Sequence, residues 1–440
     1  MHTVKANFSK INGPVKPMHA VNNGPVHSRA ISNMKDFREA GIPYARNHDA
    51  AFNASYGGSH SVDIPNIFTD FDADPYDPAS YDFALTDVYL KQIEEGGSGV
   101  FYRLGVKIEH ESKKYGTVPP ADFRKWAVIC EHIIRHYNEG WADGLHMGII
   151  YWEIWNEPDL HELMWQGTDE MYYELYSIAA THLKACFPEI KVGGPAVSSM
   201  NQEGFLKGFF EAITAGGGKV PMDFFSWHCY ETDPRRLADT ARQAREWCDR
   251  YGYTGCELIL NEWNYVLGWY GDEIIATYKA IRSMRAAAFV AGCICESQRS
   301  PMDMLMYYDA RPCAFNGMFE YGTLERLRGY YPFLMWNALY QRKHQASSGS
   351  DDKELLSCAA AGEQGEALLV VYYPQDEKKA KPREVTLQLQ GITGCRKMTV
   401  TLLDEENTYR RLFTETLEAD RRSLTLRLEP HACLLVTLDK

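Results

Sequence analysis

The residues best equipped for chemistry stand in one octapeptide, Tyr151-Trp152-Glu153-Ile154-Trp155-Asn156-Glu157-Pro158. It follows the apolar run Met147-Gly148-Ile149-Ile150, which reads as a buried strand. Pro158 blocks continuation of a central strand, so Glu157 is expected where the chain leaves the sheet. A carboxyl there can move a proton, the Asn156 amide can grip a hydroxyl, and indole faces can stack on pyranose C–H groups. That is equipment for chemistry on a sugar. A strand end with a merely solvated glutamate would read the same way, so a partner carboxylate has to decide.

Leu260-Asn261-Glu262-Trp263-Asn264 supplies that partner. In a barrel of ~250 residues each strand–helix unit takes about 31, so the separation of Glu157 and Glu262 is about three units. Such spacing puts them at the ends of the fourth and seventh strands, across the barrel mouth from each other. Two carboxyls ~5–5.5 Å apart suit retaining glycoside hydrolysis, one as acid/base and the other as nucleophile. The two need different proton affinities. Donors such as Tyr230 or Arg46 would favour the charged form of Glu262, and aromatic neighbours would favour the neutral form of Glu157. Glu157 is therefore the expected acid/base and Glu262 the expected nucleophile.

The elements that must position these groups alternate in type. Strands are predicted at 16–21, 42–46, 100–106, near 147–157, 190–194, 224–228, 257–260 and 302–308. Helices are predicted at 32–40, 82–95, 121–138, 169–186, 202–215, 234–251, 272–291 and 324–340. Eight such units make an α/β chain with a (β/α)8 barrel, whose site lies at the carboxyl ends of the strands. Polar clusters fall at those ends: Arg46, His48 and Asp49; Glu109; His228 and Tyr230; Asp309 and Arg311. Glu153, earlier on the strand that delivers Glu157, is expected to point into the barrel as a structural, hydrogen-bonded group.

Trp165, Trp263 and Trp269 are candidate sugar platforms, although an indole is more often packing than platform. Residues 345–352 read as a polar linker, and beyond them short alternating runs at 367–373, 384–389, 397–402, 423–428 and 433–438 predict an all-β, sandwich-like module. The expected division is a catalytic barrel over 1–344 and a β-sandwich accessory domain over 345–440.

At this point the motifs carry a resemblance. Trp155-Asn156-Glu157-Pro158 resembles the acid/base motif of the clan A retaining glycoside hydrolases. Taken with Phe224-Phe225-Ser226-Trp227-His228-Cys229-Tyr230 and Leu260-Asn261-Glu262-Trp263-Asn264, the chain is most similar to glycoside hydrolase family 39, the family of β-xylosidases and α-L-iduronidases. The resemblance implies that Asn156 bonds the sugar 2-hydroxyl, that Tyr230 orients Glu262, and that Arg46 and His48 lie near the nucleophile. Two segments depart from the family pattern: Met304–Pro312 lacks the tryptophan expected at the eighth strand, and the loop after Glu262, Val266-Leu267-Gly268-Trp269-Tyr270-Gly271, is unlike it. Both flank the substrate, so they bear on which sugar is taken.

Composition narrows the remaining classes. A chain of 440 residues with 45% hydrophobic and 24% charged content is globular. Its net charge of −13 argues against nucleic acid and anionic membranes as partners. No 18-residue apolar run and no signal-peptide h-region are seen, and eleven cysteines without CxxC spacing read as free buried thiols, so a cytoplasmic protein is expected. Residues 70–74 lack the calcium-loop spacing. No metal or organic cofactor is needed, since side chains supply both proton transfer and attack. The expected partner is a carbohydrate; a homo-oligomer is left open.

The expected reaction is exo-acting retaining hydrolysis of a terminal glycosyl residue, a β-xyloside first, by double displacement. An arabinosyl or uronic acid glycoside is the alternative, with Arg46 or Arg311 to pair a carboxylate. A silent carbohydrate-binding barrel and a structural protein acting through its β-module are the readings from other classes.

Overall fold

The computed structural model describes residues 2–48, 51–53, 57–110, 112–394 and 396–440. Eight parallel strands close into a barrel: β1 (Ala20–Asn22), β2 (Tyr44–Arg46), β3 (Gly99–Leu104), β4 (Tyr151–Ile154), β5 (Lys191–Val197), β6 (Phe224–Glu231), β7 (Glu257–Tyr265) and β8 (Met304–Tyr307). Each pairs with the next, and β8 returns to β1. Alternation along the strands sorts the side chains. Ala20, Phe101, Tyr151, Phe224, Ile259, Met304 and Met306 form an apolar plug inside the barrel. Two residues further along their strands, Asn22, Arg103, Glu153, Ser226 and Asn261 form a polar storey, each with no solvent exposure.

The helices start where side chains can satisfy their free amides. Asp122, Thr168, Asp233 and Ser283 each accept from the first turn of the helix they open. Ser283 also explains why the single helix expected over 272–291 is two, Gly271–Ala280 and Met284–Arg299. The last barrel helix is shorter than expected, Tyr331–Tyr340, entered through a 3-10 turn at Arg328–Tyr330. Among the described residues no helix is long and apolar enough to cross a membrane.

The second unit is a nine-stranded all-β sheet. Its order is Arg410–Leu417, Arg396–Leu403, Cys433–Asp439, Gly365–Tyr372, Leu355–Gly362, His344–Ser350, His2–Pro14, Arg383–Gln390, Arg421–Leu428. Two expectations are corrected by it. The polar stretch 345–352 is mostly strand, not linker, because its backbone groups pair with the strand His2–Pro14. That first strand belongs to the sheet, antiparallel to His344–Ser350 and parallel to Arg383–Gln390, so the barrel does not begin at residue 1. The sheet has two apolar faces. Leu368, Val370 and Tyr372 fill its own core, while Leu369, Val371 and Tyr373 alternate into the core of the barrel's outer helices. The Cys358 thiol reaches the Cys295 carbonyl at this junction. Ten cysteines are free thiols; Cys395 lies outside the described residues.

Candidate active site

The mouth of the barrel is organised by Arg46, which is completely buried. Its Nε donates to Glu153 Oε2 at 2.8 Å, its Nη1 to Glu262 Oε1 at 2.8 Å and to Asn22 Oδ1 at 3.0 Å, and its Nη2 to Asn156 Oδ1. Burial alone would depress the guanidinium pKa; the charges of Glu153 and Glu262 overcome that and raise it. Glu153 is saturated from the other side by Ser226 Oγ at 2.6 Å and by Asn261 Nδ2. This is a structural carboxylate, and through Arg46 it sets the position of everything above it.

Glu262 receives donors on both oxygens. Besides Arg46, Tyr230 Oη donates to Oε2 at 2.9 Å, and His48 Nε2 lies 3.5 Å from Oε1. A one-residue register shift between Leu260 and Glu262 against β6 turns both Asn261 and Glu262 inward and sends Trp263 outward. Burial, and then the Glu262 charge, push the Tyr230 phenol well above its ordinary value, so it remains a donor.

Glu157 stands across the mouth, partly buried, with Oε1 2.7 Å from His228 Nδ1. That same ring nitrogen is 3.4 Å from Glu262 Oε2. Ligand atoms of Glu157, His228 and Glu262 all lie within 4.8 Å of one another. Burial lowers the His228 pKa to about 4, so the ring is neutral between the carboxyls. The chain that delivers Glu157 is strained: Trp155 and Glu157 take φ of 71° and 45°. Left-handed backbone at such residues costs ~1–3 kcal/mol each. It is held by Trp155 N to Leu104 O (2.7 Å), Trp155 Nε1 to Met164 O (2.8 Å) and Glu157 N to Ala196 O (2.9 Å).

The other sequence candidates separate into two groups. Arg46, His48, Asn156, His228 and Tyr230 converge on the carboxylates. Trp269 stands at the rim, about half exposed, edge-on to the Tyr230 ring at 4.9 Å. Asp309 is buried, accepts from Asn23 Nδ2 at 2.9 Å and pairs with Arg311 at 3.2 Å. Asp49 lies outside the described residues.

Three expectations are corrected. Trp263 is fully buried against Phe289 and Tyr307 on the helix side of the barrel, and Trp165 packs edge-on to Trp155, so neither presents a face to a ligand. The indoles flanking Glu157 are likewise core: Trp152 and Trp155 are buried. Glu109 accepts from Tyr115 N, Gly116 N and Thr117 Oγ1 at 2.9–3.1 Å, which makes it the clamp of that turn.

Asn22, Arg103, Asn261 and Tyr308 were not singled out by sequence. Arg103 had a legible signal, a charge inside an otherwise apolar strand. Tyr308, whose ring lies 6.4 Å from both His48 and Tyr230, occupies the eighth-strand exit.

A second convergence of ligand-type groups, Glu131, His182 and Cys186, lies on the outer helices Phe123–Asn138 and Asp169–Cys186. Arg135 takes one oxygen of Glu131 at 2.8 Å and His182 takes the other at 2.6 Å. The carboxylate is satisfied by this ion-pair ladder without a cation.

The pattern for glycosyl hydrolases family 39 matches residues 63–254, a stretch that carries Glu157, His228 and Tyr230 and stops short of Glu262. A beta-xylosidase of Caldicellulosiruptor saccharolyticus is 36% identical over 120 residues, 27% of this chain and 23% of that protein. One of Geobacillus stearothermophilus is 28% identical over 140 residues, 32% and 25% of the two chains. Both matches span about a quarter of those relatives' length. Among solved structures, a glucosidase from Croceicoccus marinus superposes with a TM-score of 0.84 at 21% identity, covering 100% of this chain and 99% of that one. A monomeric beta-xylosidase from Caulobacter crescentus CB15 gives 0.74 at 16%, with 100% and 99% covered. The chain shares the fold of these solved glycosidases. Its segment 63–254 is similar to glycosyl hydrolases family 39.

Proposed function

We propose that the protein is a retaining, exo-acting glycoside hydrolase that removes a terminal glycosyl residue, a β-xyloside first. The observation that carries this is the approach of Glu157 and Glu262 across the mouth, with oxygens within 4.8 Å. That separation leaves no room for a water between carboxylate and anomeric carbon, which inversion requires, and fits direct attack. Glu262, gripped by Arg46 and Tyr230, is the nucleophile; Glu157 protonates the leaving oxygen and then deprotonates water. Asn156 Nδ2, buried and without a partner among the described residues, is the donor for a sugar hydroxyl.

The beta-xylosidase relatives favour the xyloside. The uronide alternative is weakened because Arg46 is enclosed by four acceptors and Arg311 is paired with Asp309. An arabinosyl substrate stays as the second reading, since arabinofuranosidases share the fold at TM-scores of 0.69 and 0.70. A silent binding barrel would have no use for two carboxyls held this way.

The test is a panel of aryl β-xyloside, α-L-arabinofuranoside, α-L-arabinopyranoside, β-glucoside, β-galactoside and uronides, with the anomer released followed by proton NMR. Retention on one sugar supports the reading, release of the inverted anomer overturns the mechanism, and absence of turnover on every member overturns the exo-hydrolase.

A further inference from the structure

Arg103 lies on β3, wholly buried, and no part of the double displacement calls on it. Its Nε–H points at His48 Nδ1 at 3.3 Å, and its Nη2 donates to Asp63 Oδ1 at 2.7 Å. Asp63 also accepts from Lys107 N through its second oxygen, so the guanidinium is anchored to the backbone of the loop after β3. Asn47 Oδ1 accepts from Arg103 N at 2.7 Å, which fixes the strand beside His48.

Guanidinium has five N–H donors and no acceptor. A ring nitrogen that faces one must therefore be the bare, accepting nitrogen. The imidazole proton is left on Nε2, and Nε2 is the atom 3.5 Å from Glu262 Oε1.

We infer that Arg103 is a positioning residue that holds His48 as the neutral Nε2–H tautomer and so aims a donor at the nucleophile. This rests on Glu262 being the nucleophile. Among the described residues, the charged and titratable groups beside His48 include Arg103 from β3, Glu262 from β7 and Tyr308 just past β8; Asp63 stands behind Arg103. The Glu262 carboxylate would draw a second proton onto the ring, and the guanidinium at Nδ1 denies it a place. The nucleophile thus keeps a neutral donor, which supports its charge without competing for its electron pair as an imidazolium would.

The first experiment needs no turnover. Ring nitrogen-15 NMR of the wild-type protein, with the His48 signal identified by its loss in His48→Gln, is expected to show one protonated and one bare nitrogen, with the proton on Nε2 from pH 5 to 8. A proton on Nδ1, or on both nitrogens, overturns the inference whether or not the protein hydrolyses glycosides. The second compares pH profiles of kcat/KM on the preferred aryl glycoside. Arg103→Met is expected to gain an ionisation between pH 5 and 8, with activity falling on its acid side. Arg103→Met/His48→Gln, with an amide donor that does not titrate, is expected to lose it again. An Arg103→Met profile of unchanged shape, merely lower, would mean that Arg103 only neutralises Asp63. If Arg103→Met does not fold, the wild-type tautomer alone decides.

Discussion

Tyr230 and Glu262 are joined at 2.9 Å, the phenol holding the carboxylate oxygen opposite the one held by Arg46. Removing a hydrogen bond to a charged group costs ~1.5–3 kcal/mol. Tyr230→Phe is therefore expected to lower kcat/KM by about 10- to 100-fold, with an almost unchanged melting temperature. Kinetics and a thermal melt on the same preparation check both halves. Loss of activity together with a large drop in melting temperature would instead assign the phenol a structural role.

The two glutamates should fail differently. Glu262→Gln is expected to lose at least ~10³-fold in kcat/KM on every glycoside. Glu157→Ala should lose far less on an aryl glycoside whose phenolate departs unaided than on one that needs protonation, and added azide should restore turnover as a glycosyl azide. Equal losses on both leaving groups would contradict the acid assignment.

Acid should destabilise the fold through its buried histidines. His19 is wholly buried and burial lowers its pKa to about 3; His228 falls to about 4. Below pH ~6.5 the unfolded chain takes up protons that the native rings refuse, so stability rises with pH across this range. The stability is fully present above pH ~6.5 and is lost as pH falls towards ~3–4. His19→Gln, away from the mouth, should flatten the decline of the urea midpoint between about pH 6.5 and 4.5; a slope identical to wild type would remove His19 from the account.

Trp269 offers a half-exposed indole edge beside Tyr230. An aromatic contact of this kind is worth ~0.5–1.5 kcal/mol, so Trp269→Ala should raise KM by roughly 2- to 10-fold. The increase should be larger on an oligosaccharide than on a small aryl glycoside, and differential scanning should find the fold unaffected.

Glu109 gives the opposite expectation. Its two oxygens satisfy two amides and a hydroxyl of the 115–117 turn. Glu109→Gln is expected to cost ~1–3 kcal/mol of stability and to leave kcat/KM close to wild type, read by urea denaturation beside kinetics. A selective loss of activity would return it to the substrate side.

The barrel was legible in the sequence because its strands and helices alternate and because Glu157 and Glu262 stand three units apart. What escaped reading depends on pairing and on parity. The stretch 345–352 is polar enough to pass for a linker, and only a distant strand, His2–Pro14, makes it part of a sheet. Trp263 was a candidate platform, yet the shift at Leu260 and Glu262 turns it to the helix side. Glu109 and Arg103 show the same limit from opposite directions: a carboxylate at a strand exit serves a turn, and an arginine within a strand lies next to His48.

The placement of His2–Pro14 has a consequence for biosynthesis. Val4 pairs with Ser350 on one side and Leu387 on the other, so this strand is synthesised long before both of its partners. Without it the sheet would fall into groups of six strands and two, each with a bare edge. Such long-range pairing is slow to form, and until it forms the two bare edges are a hazard for aggregation. Synthesis of Arg383–Gln390 therefore has to precede closure of the sheet, and a nascent chain that has reached only Tyr340 holds His2–Pro14 without either of its neighbours.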